Sequence, residues 1–422
     1  MCNRASLLTS LLLLCCFNKA VAVEASFDGF GEVRYGVRES NALGQEGSTV
    51  EEIKMQLNTE SEFENVVFNL SMDLKSDEIE NSRGINLTTG EGAIDLRQLN
   101  FLFYPSDSID VKVGRQILTW GTTDLLFIND LFPKDFRSFF IGRSESYLKT
   151  PSDAIKISFF SEFASFDFVY TPRFNSDRFI TGERLTFYDP ILQDFRTSDN
   201  PIAVNRLDDW FNNDEFSMRV TKNIDGLETA LYYYRGYWKS PSLFNIETDL
   251  WHFSDLEVTG ASIRTSFAGG IANIEIGHYK SDSISKTNPL SRNSEFRFLV
   301  GFEKELFTEL TASIQLYTEK KLNYQSYTNS LPENGVAQPK YRNLYSLMLT
   351  KLLLQQNLTL SLVNIYSFTE EDGYLKLSGS YKFSDQLKGD VGINQFIGSG
   401  DTGNFSGLKE NNNIYLGVSY SF

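Results

Sequence analysis

The chain ends with NNIYLGVSYSF, residues 412–422, and this stretch decides the fold. Every second residue from Ile414 to Phe422 is apolar or aromatic, whereas Gly417 and Ser419 stand between them. A period of two indicates a β-strand with one apolar face. In water this strand would need a core partner, but in a membrane barrel its apolar face meets lipid and the last strand pairs with the first.

The same alternation recurs along the whole chain. Every second residue is apolar in VVFNLSMDL (66–74) and in EFRFLVGFE (295–303). Because tilted strands of about 9–11 residues cross hydrocarbon, we predict an all-β transmembrane antiparallel barrel of about 16 to 18 strands, with 18 preferred. The predicted strands are 29–38, 51–59, 65–74, 93–104, 109–118, 153–160, 166–173, 214–222, 227–236, 257–267, 271–279, 295–303, 310–319, 343–351, 358–367, 373–383, 387–396 and 412–422.

Short and long connections alternate between these strands. An outer-membrane barrel has short turns at one rim and long loops at the other, whereas a β-sandwich or a propeller gives no reason for such a rhythm. The connections therefore favour the barrel. The short ones include 61–62, 105–108, 161–164, 223–226, 268–270 and 384–386, and the long ones include 75–92, 119–152, 174–213, 237–256, 280–294 and 320–342.

The N-terminus has the pattern of a secretory signal peptide. Arg4 precedes an apolar run over 7–17, and small residues at 20–22 suit a cleavage site. The run is shorter than the roughly 20 residues of a spanning helix, so a retained anchor is disfavoured. We predict a signal peptide at 1–22 and a single barrel domain at 23–422.

Cysteine content and charge exclude several classes of protein. Cys2, Cys15 and Cys16 all lie in the predicted signal peptide, so the mature chain has no disulfide, zinc-thiolate site or thiol nucleophile. We expect no metal and no cofactor. The net charge of −16, with scattered basic residues, argues against a nucleic-acid partner. No apolar run after the signal peptide is long enough for a transmembrane helix.

Eight tyrosines lie toward the ends of predicted strands. Aromatic residues at these positions form girdles at the two membrane interfaces of a barrel. A preference of aromatic residues for strands would explain their number but not their position. The predicted girdle tyrosines are Tyr35, Tyr104, Tyr170, Tyr233, Tyr317, Tyr345, Tyr366 and Tyr381.

Residues opposite the apolar stripes should face a lumen too wide for wall side chains to fill. Arginines across such a pore would favour anionic solutes. Alternatively, they pair with wall carboxylates and only support a polar lumen. The basic candidates are Arg34, Arg38, Lys54, Arg97, Lys112, Lys156, Arg219, Arg264 and Arg297, and the acidic candidates are Glu32, Glu52, Asp95, Asp110, Glu275, Glu303 and Asp390.

One segment, IDVKVGRQILTWGTTDLLFINDLFPKDFRSFF at 109–140, differs from the others. A predicted strand leads into GRQ and then WG. The segment resembles the GRQ...WG segment of porin-like outer-membrane proteins, a broad group that includes alginate-export channels, and 96–104 resembles the strand before it. This resemblance implies a monomeric or trimeric channel, passing acidic sugars or aromatic compounds in some relatives. It also implies that Arg115, Gln116 and Trp120 line the pore.

The orientation of Arg115 conflicts with strict alternation. Arg115 shares a face with Val111 and Val113, which would place its charge toward lipid at a cost of about 2–4 kcal/mol near the midplane. Either a bulge at Gly114 turns the side chain inward, or Arg115 lies at the rim and snorkels. We favour the bulge, because glycine tolerates the backbone conformations that it requires.

The connection after this strand is long, and long loops are commonly functional. Its aromatic and charged residues suit a constriction folded into the lumen, and the alternative is an extracellular loop packed on its neighbours. The loop at 174–213 could perform the same task. The constriction candidates are Asp124, Phe127, Asp130, Phe132, Asp135, Phe136 and Arg137, together with Trp120 and Arg143.

The favoured function is a channel for passive or substrate-selective diffusion of small hydrophilic solutes, including anions. The alternatives are a non-conducting receptor or adhesin barrel and, less favoured, a membrane-embedded hydrolase. We assign no catalytic residue, because only His252 and His278 are available as histidine bases and neither adjoins a suitable serine pattern. We expect the outer membrane of a Gram-negative bacterium, with membrane lipid, lipopolysaccharide and solutes as partners. The barrel-assembly machinery would recognise the strand ending at Phe422.

Overall fold

The computed structural model describes residues 24–40, 43–79, 84–123, 125–282, 288–333, 335 and 337–422. The predicted signal peptide at 1–22 and Asp124 of the predicted constriction lie outside the described residues. Within the described ranges, no helix is long and apolar enough to cross a membrane.

Eighteen strands of the described chain form one closed antiparallel barrel, which confirms the predicted fold class and the preferred strand number. Each strand pairs with its neighbours in sequence, and the last pairs with the first. The strands are β1 (Glu24–Arg38), β2 (Ser48–Phe63), β3 (Val66–Asp77), β4 (Ile94–Ser106), β5 (Ile109–Ile117), β6 (Pro151–Phe160), β7 (Ser165–Thr171), β8 (Glu215–Ile224), β9 (Leu227–Tyr237), β10 (Asp255–Phe267), β11 (Gly270–Ser281), β12 (Glu295–Phe307), β13 (Leu310–Lys321), β14 (Tyr341–Leu353), β15 (Leu358–Ser367), β16 (Asp372–Lys382), β17 (Leu387–Gly398) and β18 (Asn413–Ser421).

The connections distinguish the two rims. Short turns at the short-turn rim are 64–65, 107–108, 161–164, 225–226, 268–269, 308–309, 354–357 and 383–386. At the loop rim the connections are longer, except for 368–371. They contain helices α1 (Phe136–Phe140) and α2 (Tyr324–Ser330), the 3-10 segments Glu145–Leu148 and Ser406–Asn411, and the hairpins Ile85–Asn86 with Glu91–Gly92, Phe187–Asp189 with Asp194–Arg196, and Leu243–Asn245 with Leu250–His252.

Closure of the barrel uses the C-terminal strand on which the prediction was based. The ladder between β1 and β18 runs from Phe30 opposite Ser421 to Arg38 opposite Asn413. Beyond it, the backbones of Gly29 and Phe422 exchange two hydrogen bonds of 3.1 and 3.0 Å. The last residue therefore takes part in the seam, and the barrel formed by the described strands has no open edge.

The wall keeps its period of two across the strands. On β13, Ile314 and Leu316 are exposed on the outside, whereas Gln315 and Tyr317 are buried on the inside. The apolar residues of β18 are likewise exposed on the outer face. The barrel thus has an apolar outer face and a more polar inner face, as a transmembrane wall requires.

The predicted tyrosine girdle is partly correct. Tyr35, Tyr104 and Tyr381 are exposed near strand ends, and Tyr170, Tyr233, Tyr345 and Tyr366 are half-buried. Tyr317 was assigned wrongly, because strand alternation places it inside, where its hydroxyl donates to Glu319 at 3.0 Å. Further exposed phenylalanines follow the short-turn rim: Phe63, Phe163, Phe267, Phe307, Phe383 and Phe422.

Much of the hydrophobic core lies inside the barrel rather than between separate layers. Loop residues pack there against inward-facing wall residues of β9 to β17. A barrel of this width needs such loops to fill space that its own wall side chains do not reach. The core includes Ile128, Phe139, Phe140 and Ile141 from a loop, and Tyr234, Tyr279, Tyr317, Val363, Tyr374 and Phe396 from the wall.

Replacing Ile314 by arginine should destabilise the barrel by about 2–4 kcal/mol, because the charge would face hydrocarbon. Urea unfolding from lipid vesicles would measure the loss. The matched control is Ser313→Arg, because Ser313 is the adjacent inward-facing residue and lies opposite Glu303 in the ladder. We expect the control to change stability by less than about 1 kcal/mol. Equal losses in the two variants would contradict this assignment of faces.

Candidate functional site

Residues 118–150, between β5 and β6, cross the barrel interior and are called the inner loop below. Asn129 reaches Glu275 on β11, and the Phe140 carbonyl reaches Asn394 on β17. Tyr147 then reaches Asp73 on β3. Since these strands lie on different sides of the barrel, the inner loop occupies part of the lumen cross-section.

The inner loop begins with an aromatic contact around Trp120. The Trp120 ring meets Phe132 edge-on, with ring centroids 4.9 Å apart, and lies 6.3 Å from the Tyr232 ring on β9. The Arg219 guanidinium lies 5.3 Å from the Trp120 ring centroid. Trp120 is itself buried, so it supports the loop instead of presenting an open surface to the pore.

Further along, two phenylalanines fix the loop to the wall. The rings of Phe139 and Phe140 lie 5.5 and 5.1 Å from the ring of Tyr374. The Phe140 carbonyl accepts hydrogen bonds from the side-chain amides of Asn394 and Asn413, at 3.0 and 3.2 Å. Apolar packing and directed hydrogen bonds therefore hold the same point of the loop.

Arg34 on β1 holds the next part of the loop. Its guanidinium donates to the Gly142 carbonyl at 2.7 Å and pairs with Asp390 at 2.8 Å and Glu32 at 3.1 Å. Gly142 has a φ of +80°, and a Cβ there would overlap the Tyr415 ring. Arg34 is only 3% exposed, so this predicted pore-lining arginine connects the wall to the inner loop instead of facing the pore.

The end of the inner loop is fixed on β2 and β3. Arg143 pairs with Glu52 at 2.5 Å and with Asp77 at 3.2 Å. The Tyr147 hydroxyl donates to Asp73 at 2.7 Å. Burial and the Asp73 carboxylate raise the pKa of Tyr147 well above its ordinary value, so its hydroxyl stays a neutral donor.

Arg97 on β4, another predicted pore-lining residue, binds the same part of the loop. Its Nη2 donates to the carbonyls of Ser146 and Lys149, at 3.2 and 2.8 Å. The guanidinium also lies 4.6 Å from the centroid of the Tyr147 ring. A buried arginine bound to loop carbonyls positions the loop, so Arg97 is not freely available to a solute.

Arg115 does not turn inward through the expected bulge. Gly114 has a φ of +119°, but the ladders on both sides of it keep their register. Arg115 donates to both Asp153 oxygens at 3.1 Å, to the Leu96 carbonyl at 2.7 Å and to the Leu87 carbonyl. The predicted bulge is therefore wrong, and these partners bury Arg115 within the wall.

The remaining predicted pore-lining residues have different surroundings. Gln116 is buried and donates to the Ala154 carbonyl at 2.9 Å. Arg297 pairs with Glu295 at 2.7 Å and lies 3.9 Å from the Tyr279 ring centroid. These two side chains belong to the packed wall.

Arg264, on β10, is exposed near the short-turn rim. Within the described part of the chain it forms no ion pair. Its positive charge is thus available at that end of the lumen.

Lys112, Lys156 and Arg219 form a basic patch on the inner faces of β5, β6 and β8. Lys112 and Lys156 are directly opposite in the ladder. Asp167 lies 3.3 Å from the Lys156 amine and accepts from Arg219 at 2.6 and 3.0 Å. Lys112 forms no ion pair within the described part of the chain, but the Glu60 carboxylate on β2 interacts with its charge. Three cations therefore face two carboxylates, Asp167 and Glu60, and the patch carries a small net positive charge.

The acidic constriction candidates serve the loop itself. Asp130 pairs with Lys134 at 2.9 Å, and both are buried. Asp135 caps helix α1 by accepting from the backbone N–H of Ser138 at 2.7 Å. Neither carboxylate is free to attract or repel a solute.

The aromatic candidates and Arg137 complete the loop. Phe127 and Phe136 pack against the interior core, and Phe132 is buried beside Trp120. Arg137 pairs with Glu91 of the 78–93 connection. The structure thus brings the described constriction candidates together inside the barrel, mostly as packing and tethering residues.

The long 172–214 connection also enters the lumen. Arg178 donates to both Asp95 oxygens at 2.7 Å, and Arg184 donates to Asp77 at 2.6 Å. Sequence analysis missed both arginines, because a loop has no strand period from which to infer their direction. Their only signal was arginine in a long connection otherwise rich in acidic and aromatic residues.

A cavity of about 550 Å³ lies between the inner loop and the short-turn rim. Gln56, Asn58, Ser71 and Gln98 line it beside Tyr147. Asp28, Glu60 and Arg97 also line it, so the cavity combines amide and hydroxyl groups with fixed charges of both signs. The cavity is therefore suited to water and hydrophilic solutes.

No protein-family model and no curated protein matches this chain. Solved structures of similar fold include OccK5 (OpdH) of Pseudomonas aeruginosa, with a TM-score of 0.55 and 12% identity over 95% of this chain and 98% of that one. OccAB1 of Acinetobacter baumannii has 0.55 and 10% over 95% and 96%. OccD3 (OpdP) of P. aeruginosa has 0.53 and 10% over 94% and 91%. At these identities the similarity shows a shared fold.

Proposed function

We propose that this chain is a channel in the outer membrane of a Gram-negative bacterium, through which small hydrophilic solutes diffuse, with anions favoured. The observation behind the proposal is a closed wall, apolar outside and largely polar inside. Such a wall suits hydrocarbon on one side and water on the other. The similar solved structures are outer-membrane porins, which supports the same function.

The proposal also assigns partners. Membrane lipid and lipopolysaccharide would surround the apolar wall, and the barrel-assembly machinery would bind the strand ending at Phe422. The resemblance of the GRQ...WG segment supports assignment to the broad porin group that includes alginate-export channels. On that basis acidic sugars and aromatic compounds are the first solutes to test.

The preference for anions rests on the basic patch of Lys112, Lys156 and Arg219. We expect Lys112→Gln with Lys156→Gln to reduce the anion-to-cation permeability ratio about twofold, because two lumen cations are lost. Reversal potentials of the refolded mature chain in a planar bilayer under a salt gradient measure this ratio.

The matched control for the patch is Lys280→Gln. Lys280 lies on β11, is largely exposed and pairs with Glu257 away from the lumen. Its loss should leave the reversal potential unchanged. A cation-selective parent channel, or equal shifts in patch and control variants, would contradict a role of the patch in selectivity.

A second candidate is a non-conducting receptor barrel. It is favoured by the apolar packing of the inner loop on Tyr374 and Phe396, which closes part of the lumen. The same bilayer experiment separates the two functions. Stable conductance supports the channel, and a folded barrel that never conducts supports the receptor.

A further inference from the structure

One carboxylate of the barrel wall binds the inner loop through several hydrogen bonds. Glu275 on β11 is fully buried. It accepts hydrogen bonds from the backbone N–H and the hydroxyl of Thr122, at 2.6 and 2.7 Å. It also accepts from the backbone N–H and the side-chain amide of Asn129, at 3.2 and 2.9 Å. An ionised carboxylate has about four acceptor sites, so this loop satisfies Glu275 completely.

Two glycines beside Glu275 make room for the same part of the loop. Gly260 and Gly277 lie directly opposite each other in the ladder between β10 and β11. A Cβ at Gly277 would be 2.7 Å from Cγ2 of Ile128, and one at Gly260 would overlap the Asn129 amide oxygen. The paired glycines form a recess in the wall that the two loop side chains fill.

Four successive inward-facing residues of β11, which are every second residue of the strand, contact the loop. Besides Glu275 and Gly277, Asn273 donates to the Thr122 hydroxyl at 3.0 Å, and the Tyr279 hydroxyl donates to the Ile128 carbonyl. This group, Asn273, Glu275, Gly277 and Tyr279 with Gly260, is called the socket below. It meets the loop through directed groups rather than through apolar packing alone.

The buried carboxylate of Glu275 indicates that this contact specifies one position of the loop. A buried carboxylate is costly unless hydrogen bonds or a cation compensate it, and none of the recorded ion pairs of the described residues involves Glu275. Near Tyr374 and Phe396 the loop is held by apolar packing together with neutral hydrogen bonds from Asn394 and Asn413, without a buried charge. Four donors converging on one carboxylate instead specify a single loop position, because a shifted loop would leave the charge buried and unpaired.

We propose that the socket positions the inner loop across the lumen and thereby sets the size limit of the solutes that pass. The inference rests on the proposed channel function and deepens it. Glu275 is a positioning residue here, since it acts on the solute only through Thr122 and Asn129. Releasing the loop from the socket should widen the passage while the barrel stays closed.

The test uses the refolded mature chain in liposomes and planar bilayers. In Glu275→Gln the N–H groups of the new amide face the donors of Thr122 and Asn129, so one carboxylate acceptor is lost. In Gly277→Val the valine side chain occupies the recess that Ile128 fills. Both variants should raise single-channel conductance, and they should raise the swelling rate with a trisaccharide relative to a monosaccharide about twofold, because permeation depends on pore diameter. Heat-modifiable electrophoretic mobility shows that each variant has folded.

The matched control is Glu303→Gln, which removes a carboxylate from the inward face of β12. Within the described part of the chain the Glu303 side chain forms no hydrogen bond or ion pair and only its backbone joins the ladders, so its loss should leave the size profile unchanged. The substitutions Thr122→Cys and Asn273→Cys, joined by a short thiol crosslinker in the Glu275→Gln background, should restore the parent profile. The mature chain has no other cysteine that could react.

The outcomes separate the two proposals. If the parent conducts and all variants share its conductance and size profile, the positioning role of the socket is overturned. If the parent is silent, the channel function fails. In that case conductance that appears only in the socket variants would still support the positioning role, and silence in every variant would overturn both.

Discussion

A chain that lacks residues 413–422 is expected to form no folded barrel. This deletion removes the pairing partners of nine residues of β1 and of eight residues of β17, and it opens the seam along its whole length. Each unpaired backbone group in hydrocarbon costs several kcal/mol, so the loss far exceeds the usual stability of about 5–15 kcal/mol. Circular dichroism after dilution from urea into lipid vesicles, with heat-modifiable electrophoretic mobility, measures refolding.

The control for this deletion is Phe422→Ala, which keeps the ladder and removes one exposed ring. It should refold in vitro with a change of about 1 kcal/mol or less. Its insertion into the outer membrane of cells should fall if the assembly machinery reads the terminal aromatic residue. A truncated chain that still shows the mobility of a folded barrel would contradict closure by β18.

Arg34→Ala is expected to destabilise the barrel by about 3–5 kcal/mol, because breaking a buried ion pair leaves its carboxylates uncompensated. Arg34 is buried between Glu32 and Asp390 and also binds the Gly142 carbonyl. Its loss should therefore release the inner loop as well. The free energy of unfolding in urea measures the first effect, and conductance noise measures the second.

Two further variants test the explanation. Arg34→Lys keeps the charge but loses the planar fork, so it should recover only part of the stability. Arg34→Ala combined with Asp390→Ala should be less unstable than Arg34→Ala alone, because one of the unpaired carboxylates is gone. If Arg34→Ala unfolds like the parent, the side chain does not hold wall and loop together.

Strand alternation predicted the direction of the inward arginines but not their partners. Alternation correctly placed Arg34, Arg97 and Arg297 inside the barrel. It did not show that each would be bound by carboxylates or carbonyls, because these partners come from distant strands and loops. Asp390, the partner of Arg34, is separated from it by most of the chain. The net charge exposed to the lumen therefore could not be read from the inward residues alone.

Arg115 shows the opposite case. Alternation placed it on the outer face, and the rule against charge in lipid suggested a bulge. The structure resolves the conflict without one: Asp153 and the backbone carbonyls of Leu96 and Leu87 surround the guanidinium. Strand alternation shows that the charge of Arg115 needs partners. It does not show which partners it has, because one of them, the Leu87 carbonyl, lies in a connection that has no regular side-chain period.

The sequence by itself determined the closed barrel, a strand number of about 16 to 18, its two unlike rims and its apolar exterior. These features follow from a side-chain period of two and from turn lengths, which are local properties of the chain. Only the tertiary structure decided where the inner loop lies, that Glu275 binds it, and that Lys156 pairs with Asp167 whereas Lys112 forms no ion pair in the described part of the chain. Those features depend on contacts across the barrel between residues far apart in sequence, and no local pattern encodes which of them meet.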